Sequence, residues 1–405
     1  MTSLEQLDPK VVGKRLAEAR KARGVTQEET AAHLGCSRPT LIAIEKGERP
    51  AKPAEIVNLA AFYGRTVHEL VRRGEAATDL QSPLRALAEK LHLNDSELAQ
   101  ATAAFQALAE DYRELERVMK APLRYNYPPQ VELTSRIDVG DLAEDTAHRE
   151  RQRLGLGDQP VLNLRSVLEW NVGLRIFYWP LPSTLAGMYA YTDELGGCIL
   201  VNVKHPAVRR RASMVHEYGH LIVDRYKPGI DYLTYAGRKP ANERFAESFA
   251  MSFLMPATSV RQRFHDIVSS TSDFQVADLY RLSHYYSVSV HAMALRLEGL
   301  GLIPRGTADL LREEGIRVKE VEKMLDLSPR TETKDPYPER YKFLAIHAFE
   351  RGEISEGQLA RFLRCDRVTA REIVQTCLTS TDVRADGQPQ TLQMEFQRSL
   401  LPSAS

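Results

Sequence analysis

Residues 216 to 220 read HEYGH. Imidazoles four positions apart on a helix share one face, so His216 and His220 can reach a single metal ion. Glu217, between them in the chain, is placed to take a proton from water and hand it on. A tetrahedral catalytic centre needs a third protein donor and one open position. The segment ANERFAESFAMSFLMP begins just after Pro240 and offers Glu243 and Glu247 on one helix face, with Phe245, Phe249 and Phe253 on a neighbouring apolar stripe. One of these carboxylates is the natural third donor; the other would orient a histidine through its free ring N–H. Against a metal centre stands the blander reading of a vestigial site or two surface histidines. His284 and His291 read as packing or surface residues. His205, before Pro206 at the mouth of the metal helix, is at most a substrate contact.

These groups need two helices held together and something to pack them on. From about Ala207 to Asp224 the chain is helical. Before it, from Leu174 to Asn202, the period becomes strand-like in LRIFYW, AGMYAY and CILVN, and Asp193–Gly197 supplies turn chemistry for a hairpin of the last two. After it the chain is helical almost to the end, with breaks at Pro240, Pro256, Pro304 and 335–338. The final twenty or so residues lose periodicity and are expected to fray.

A second constellation lies near the N-terminus, in VGKRLAEARKARGVTQEETAAHLGCSRPTLIAIEKGERP. Thr26 with Glu29 forms a capping box, Gly35 ends that helix, Ser37 caps the next, and Pro39 falls in its first turn. Leu41 and Ile44 give the second helix an apolar face and leave Arg38, Thr40 and Ala43 pointing elsewhere. A helix presented in this way fits the DNA major groove. Residues 9 to 73 carry thirteen Lys/Arg against seven Asp/Glu, while the whole chain balances 54 against 54. Only the local patch suits a polyanion. The alternative is a helical protein-interaction module.

This N-terminal stretch resembles the Xre/lambda-repressor-like family over roughly 65 residues. The resemblance implies that Gln27 and its helix N-terminus hold backbone phosphate and that Arg38, Pro39, Thr40 and Ala43 face the bases, with Ser37 and Lys46 completing the DNA-contacting set. Arg20 and Glu45 fall where the family builds an internal salt bridge, so they are read as structural. Pro39 departs from the polar residue often found there; it can touch a thymine methyl but offers no hydrogen bond. The stretch RRRASMVHEYGHLIVD with ERFAESFAMSFLMP resembles the ImmA/IrrE family of zinc metallopeptidases, and the likeness runs over about residues 160 to 303. That family places its ligand Glu thirteen residues before the proline of the LMP-like ending, which is Glu243 here. Four residues on, where the family commonly has Asn, stands Glu247. The resemblance thus implies Zn2+ on His216, His220 and Glu243, with Glu217 catalytic and Glu247 behind the ligands, although His and Glu donors do not select zinc uniquely.

Between the two constellations Leu98, Phe105, Tyr112 and Met119 recur every seven residues, interleaved by Ala101, Leu108 and Leu115. This is either a short coiled coil joining a homodimer or an amphipathic helix packed on its own chain. Residues 338 to 376 again read as helix-turn-helix, with Ser355 and Asp366 as caps, and are taken as a small helical domain. At 405 residues, 43% hydrophobic and 27% charged, the chain is long enough for several folded domains and is not disordered. It shows no secretory signal and no apolar run long enough for a membrane span, and Cys36, Cys198, Cys365 and Cys377 have no CxxC spacing, so a reducing cytoplasm is expected.

The resulting expectation is an α+β, mainly α protein. Its parts are a five-helix DNA-binding domain (1–75), a helical connector (76–130), a zincin-like domain with a small antiparallel sheet packed on helices (131–305) and a C-terminal helical region (306–405). The expected partners are a double-stranded DNA operator and a protein substrate or repressor. Three functions remain open: a regulator that proteolyses a repressor, a non-catalytic repressor or antitoxin that senses a ligand or partner, and a stand-alone peptidase whose N-terminal module docks substrate.

Overall fold

The computed structural model describes residues 8–63, 67–71, 80, 84, 96–134, 138–232, 239–313, 318–327, 334–383 and 389–393. The chain divides into two compact units, Met1–Thr78 and Asp79–Ser405. The polar join expected from Gly74 to Ser82 lies, apart from Leu80, outside the described residues.

The first unit is helical: α1 (Pro9–Arg23), α2 (Gln27–Leu34), α3 (Arg38–Glu45), α4 (Pro53–Tyr63) and α5 (Val67–Val71). The local signals act as their chemistry dictates. Thr26 and Glu29 close a capping box on α2, Gly35 ends α2 at φ 69°, and the Ser37 hydroxyl accepts from the Thr40 N–H at the start of α3. Leu16, Ile44, Ile56, Leu59 and Tyr63 form the core. At Gly13 a Cβ would stand 2.3 Å from the Ile44 carbonyl oxygen, so α1 lies against the end of α3 only because that position is glycine.

The second unit contains α6 (Ser96–Val118), α7 (Val139–Arg153), α8 (Leu164–Val167), a π-helical turn (Leu168–Val172), β1 (Arg175–Trp179), β2 (Leu185–Thr192), β3 (Gly196–Asn202), α9 (Ala207–Val223) and β4 (Gly229–Tyr232). There follow α10 (Ala241–Leu254), α11 (Ala257–Thr271), α12 (Val276–Tyr285), α13 (Val290–Gly299), α14 (Thr307–Glu313), α15 (Val318–Met324), α16 (Glu339–Glu350), α17 (Glu356–Phe362), α18 (Arg367–Leu378), β5 (Thr379–Val383) and β6 (Pro389–Gln393). No helix among the described residues is long and apolar enough to cross a membrane.

The main sheet has the order β1-β3-β2-β4. The expected β2–β3 hairpin is present, but the sheet is mixed rather than antiparallel, because β1 pairs with β3 in parallel. The difference follows from connection length: β1 precedes the hairpin and reaches β3 rather than its sequence neighbour β2, so it runs alongside in the same direction. Strand alternation then divides the residues between two cores. Ile176, Tyr178, Tyr189, Ile199 and Val201 face α9, α10 and the helices beyond, whereas Phe177, Met188, Ala190, Cys198 and Leu200 face α6, α16 and α17.

The heptad stripe of α6 is consumed by that second core. Leu98, Ala101, Phe105, Leu108, Tyr112 and Leu115 are buried among the sheet, α16 and α17. The packing fits an amphipathic helix and leaves no exposed seam on this face for a coiled coil. Arg175 in β1 and Arg340 in α16 grip the same Glu116 of α6, at 2.7 and 2.9 Å. The C-terminal helices are thereby part of the second unit's core rather than a separate body. Ser355 and Asp366 cap α17 and α18 as expected, their side chains accepting from the Gln358 and Thr369 N–H groups. Part of the tail read as frayed pairs instead, β5 with β6, in an antiparallel hairpin of polar residues with little hydrophobic period; residues 384–388 and 394–405 lie outside the described residues.

Candidate metal centre and nucleic-acid interface

Helix α9 carries His216, Glu217 and His220 into the space between the sheet and α10, and all three are buried. The two Nε2 atoms stand 3.1 Å apart. Glu243, in the first turn of α10, places Oε2 3.4 Å from His216 Nε2 and Oε1 3.5 Å from His220 Nε2. Among the described residues these three form a group whose donor atoms all lie within 4.8 Å of one another. A tetrahedral zinc site with bonds of about 2.05 Å requires donor separations of about 3.3 Å. The His–His edge is close to that size, and each histidine has one Glu243 oxygen at a similar distance, Oε2 for His216 and Oε1 for His220, so the carboxylate faces both imidazoles and the donor set suits zinc.

The close approach of α10 depends on a residue the motif reading passed over. A Cβ on Gly219 would stand 2.9 Å from Ala246 Cα, so the two helices touch backbone to backbone at this point. Glu243 lies one turn before Ala246, which is how its short reach suffices. Phe249 and Phe253 then pack beside Tyr218, whose hydroxyl bonds Glu150 on α7, and Phe245 stacks on Phe249. The signal was present in the sequence, as the fourth residue of HEYGH, but its meaning depends on what lies opposite.

Electrostatics within the group are strong. Burial opposes charge on His216, but its hydrogen bond to Glu243 and the charges of Asp231, Glu217 and Glu243 outweigh that and raise it to about 9. Burial would raise the Glu243 carboxyl, yet its two histidine partners bring it well below the usual range. Glu217 is pushed well up by burial, with the His216 charge opposing. Neither Glu217 oxygen has a hydrogen-bond partner.

Glu247 does not stand behind the histidines. It is about half exposed and pairs with Lys239. His205 is likewise turned away from the cluster, with Nε2 3.1 Å from the Ser183 carbonyl oxygen. Asp231 in β4, which no spacing in the sequence singled out, is the charge the motif reading missed.

In the first unit Arg38, Pro39, Ser37 and Lys46 are exposed and Thr40 and Ala43 partly so, on the side of α3 away from the core. Arg20 donates from Nε to Glu45 Oε1 at 2.6 Å and from Nη2 to Oε2 at 3.2 Å, and the pair is buried. Gln27 turns its amide to the same carboxylate, Nε2 donating to Oε2 at 2.9 Å, rather than outward towards a phosphate.

Comparison with known proteins finds a family match for each constellation. Residues 11–72 match a helix-turn-helix domain family and residues 171–298 a peptidase family described as the IrrE N-terminal-like domain. The transcriptional repressor RstR of the cryptic phage CTXphi, from Vibrio cholerae, is 35% identical over 75 residues, which are 18% of this chain and 68% of that protein. The chain thus belongs to the Xre-type helix-turn-helix DNA-binding proteins and carries an ImmA/IrrE-type domain. A crystal structure of ComR from Streptococcus suis aligns over 90% of this chain and 87% of its own at 12% identity, with a TM-score of 0.16.

Proposed function

We propose that the protein is a cytoplasmic transcriptional regulator that binds an operator through α3 and inactivates a repressor, another or itself, with a zinc-dependent endopeptidase site in its second unit. The setting this suits is a stress, mobile-element or toxin–antitoxin response. The observation that carries the reading is the His216–His220–Glu243 triangle with the buried, unpartnered Glu217 beside it.

His216, His220 and Glu243 would hold the zinc, which when bound supplies Lewis acidity to a peptide carbonyl and to water. Glu217 takes the proton from the attacking water and passes it to the leaving amine, so the same carboxyl acts as base and then acid. Burial supports this role: a carboxyl raised out of its usual range is a better match to proton transfer near neutral pH. The exposed N-terminal residues of α3 supply the DNA contacts, with Arg38 the side chain suited to a guanine edge.

The deciding experiment is Glu217→Gln in the full chain. Zinc content and operator binding should be retained while cleavage of a co-expressed Xre-type repressor, followed by intact mass, is lost. Cleavage equal to wild type would end the catalytic reading. A second reading, a non-catalytic sensor, is favoured by one observation: Glu217 is 0% exposed, so the site as it stands admits no peptide. That reading expects the variant to be silent and Arg38→Ala alone to relieve repression.

A further inference from the structure

Glu217 is covered from the sheet side. A Cβ on Gly187 of β2 would stand 3.0 Å from its Oε1, and one on Gly229 of β4 would stand 3.7 Å from its Oε2 and 4.0 Å from His220 Cδ2. The carboxylate thus lies beneath the seam where β2 and β4 pair, and both strands approach it through glycine. Gly187 is the register partner of Asp231. Cross-strand partners point to the same face, and so do residues two apart on one strand. Asp231 therefore faces the site by both routes, from Gly187 across the pair and from Gly229 along β4. Its negative charge acts on both His216 and Glu217.

On the side of the sheet that covers Glu217, away from the β1 edge, an extended peptide has two places to lie. On the outer edge of β4 it would be displaced from the seam by a full strand spacing of about 4.8 Å, beyond the direct reach of a carboxyl that must exchange protons at about 3 Å. On the edge of β2 it would lie over Glu217, but β4 holds that edge. We propose that β4 is a self-inhibitory strand: Gly229–Tyr232 occupies the edge of β2 that a peptide substrate must take, presents Asp231 to the His216–His220–Glu243 cluster, and must leave β2 before the site can work. The proposal rests on the peptidase reading for its substrate, but the movement of β4 is a property of the chain itself.

β4 is built to leave. Its described part, Gly229–Tyr232, lies at the edge of the sheet order, and its pairing with β2 is broken by a register shift between Leu185 and Gly187. Among the described residues Ile230, the register partner of Met188 on the far face, ties it to the second core. β3, by contrast, is paired on both sides and buried along its length. Edge pairing with a bulge opens more readily than a central strand.

The first test is native-state hydrogen exchange on the full-length protein, read by mass spectrometry. Amides of 226–232 should exchange at least about a hundredfold faster than those of 196–202; exchange of the two segments at one common rate would overturn the proposal. The second test joins β4 to β2 with the pair Met188→Cys and Ile230→Cys, register partners on the face away from the site. The oxidised protein should release zinc to a chelator at least tenfold more slowly than the reduced one and cleave no repressor. Equal release in the two redox states refutes the strand gate. If no form cleaves but zinc release still follows the redox state, the gate stands and the peptidase reading alone falls.

Discussion

Gly219 on α9 and Ala246 on α10 meet so closely that a Cβ on the glycine would lie 2.9 Å from the alanine Cα. The contact sets how near Glu243 comes to the two histidines, since Glu243 belongs to the turn of α10 just before Ala246. Gly219→Ala must push the helices apart or bend one of them, and the obstacle is backbone rather than a flexible side chain. The expected loss is about 1–3 kcal/mol of stability together with a tenfold or greater loss of zinc affinity. Thermal unfolding and chelator competition measure the two; a variant with unchanged affinity would show that this contact does not set the triangle.

The carboxylates of α10 should separate cleanly. Glu243 contacts both histidines, at 3.4 and 3.5 Å, while Glu247 is paired with Lys239 at the surface. Glu243→Ala is expected to lower zinc affinity by more than about a hundredfold, a larger loss than removing an outer partner causes, whereas Glu247→Ala should leave stoichiometry and affinity unchanged. Metal analysis of the purified proteins decides it. Retention of one zinc by Glu243→Ala would remove that residue from the centre.

Two arginines of the first unit should also behave oppositely. Arg20 is buried against Glu45, and removing it leaves a buried carboxylate with only Gln27 to hold it. Arg20→Ala is expected to destabilise the unit by about 3 kcal/mol. Arg38 is exposed at the start of α3, so Arg38→Ala should leave the unfolding transition in place while weakening operator binding by about 1–3 kcal/mol. Circular dichroism and a fluorescence-anisotropy titration at fixed salt separate these. Loss of folding in Arg38→Ala, or of DNA binding alone in Arg20→Ala, would reverse the roles.

What was legible in the sequence is what short-range chemistry encodes. Thr26, Gly35 and Ser37 mark helix ends because capping is local, and the spacing of His216 and His220 places them on one face because a helix turns every 3.6 residues. Glu243 was reached through resemblance, since Glu247 satisfied the helical geometry equally well; what distinguishes them is tertiary, Glu243 lying against both histidines while the fold brings Lys239 alongside Glu247. β4 escaped because four residues carry too little period to announce a strand, and Asp231 escaped with it. Gly219 and Gly187 were visible as glycines, but the reason for each lies on another element, Ala246 for one and Glu217 for the other. Likewise the stripe of α6 showed an apolar face without showing that Phe177 and Leu200 of the sheet would cover it.

Glu169 gives the second unit a pH dependence of definite sign. It sits in the π-helical turn, fully buried, accepting at Oε1 from the Tyr112 hydroxyl at 2.5 Å, with no partner on Oε2. Burial raises it from 4.5 to about 7, although the Tyr112 hydrogen bond and the charges of Arg165 and Arg340 pull the other way. The native state therefore holds this proton over a range in which the unfolded chain has lost it. Stability from this group is full below about pH 4.5, falls as pH rises towards 7, and is flat above; the span corresponds to about 3 kcal/mol. Glu169→Gln keeps the shape and removes the ionisation. The variant should lose this component of the slope between pH 5 and pH 8 and be more stable than wild type at pH 8. Both tryptophans, Trp170 and Trp179, belong to the second unit, so denaturant unfolding followed by tryptophan fluorescence reports that unit selectively. If wild type and Glu169→Gln show the same change in stability between pH 5 and pH 8, Glu169 ionises in the folded protein as freely as it does in the unfolded chain.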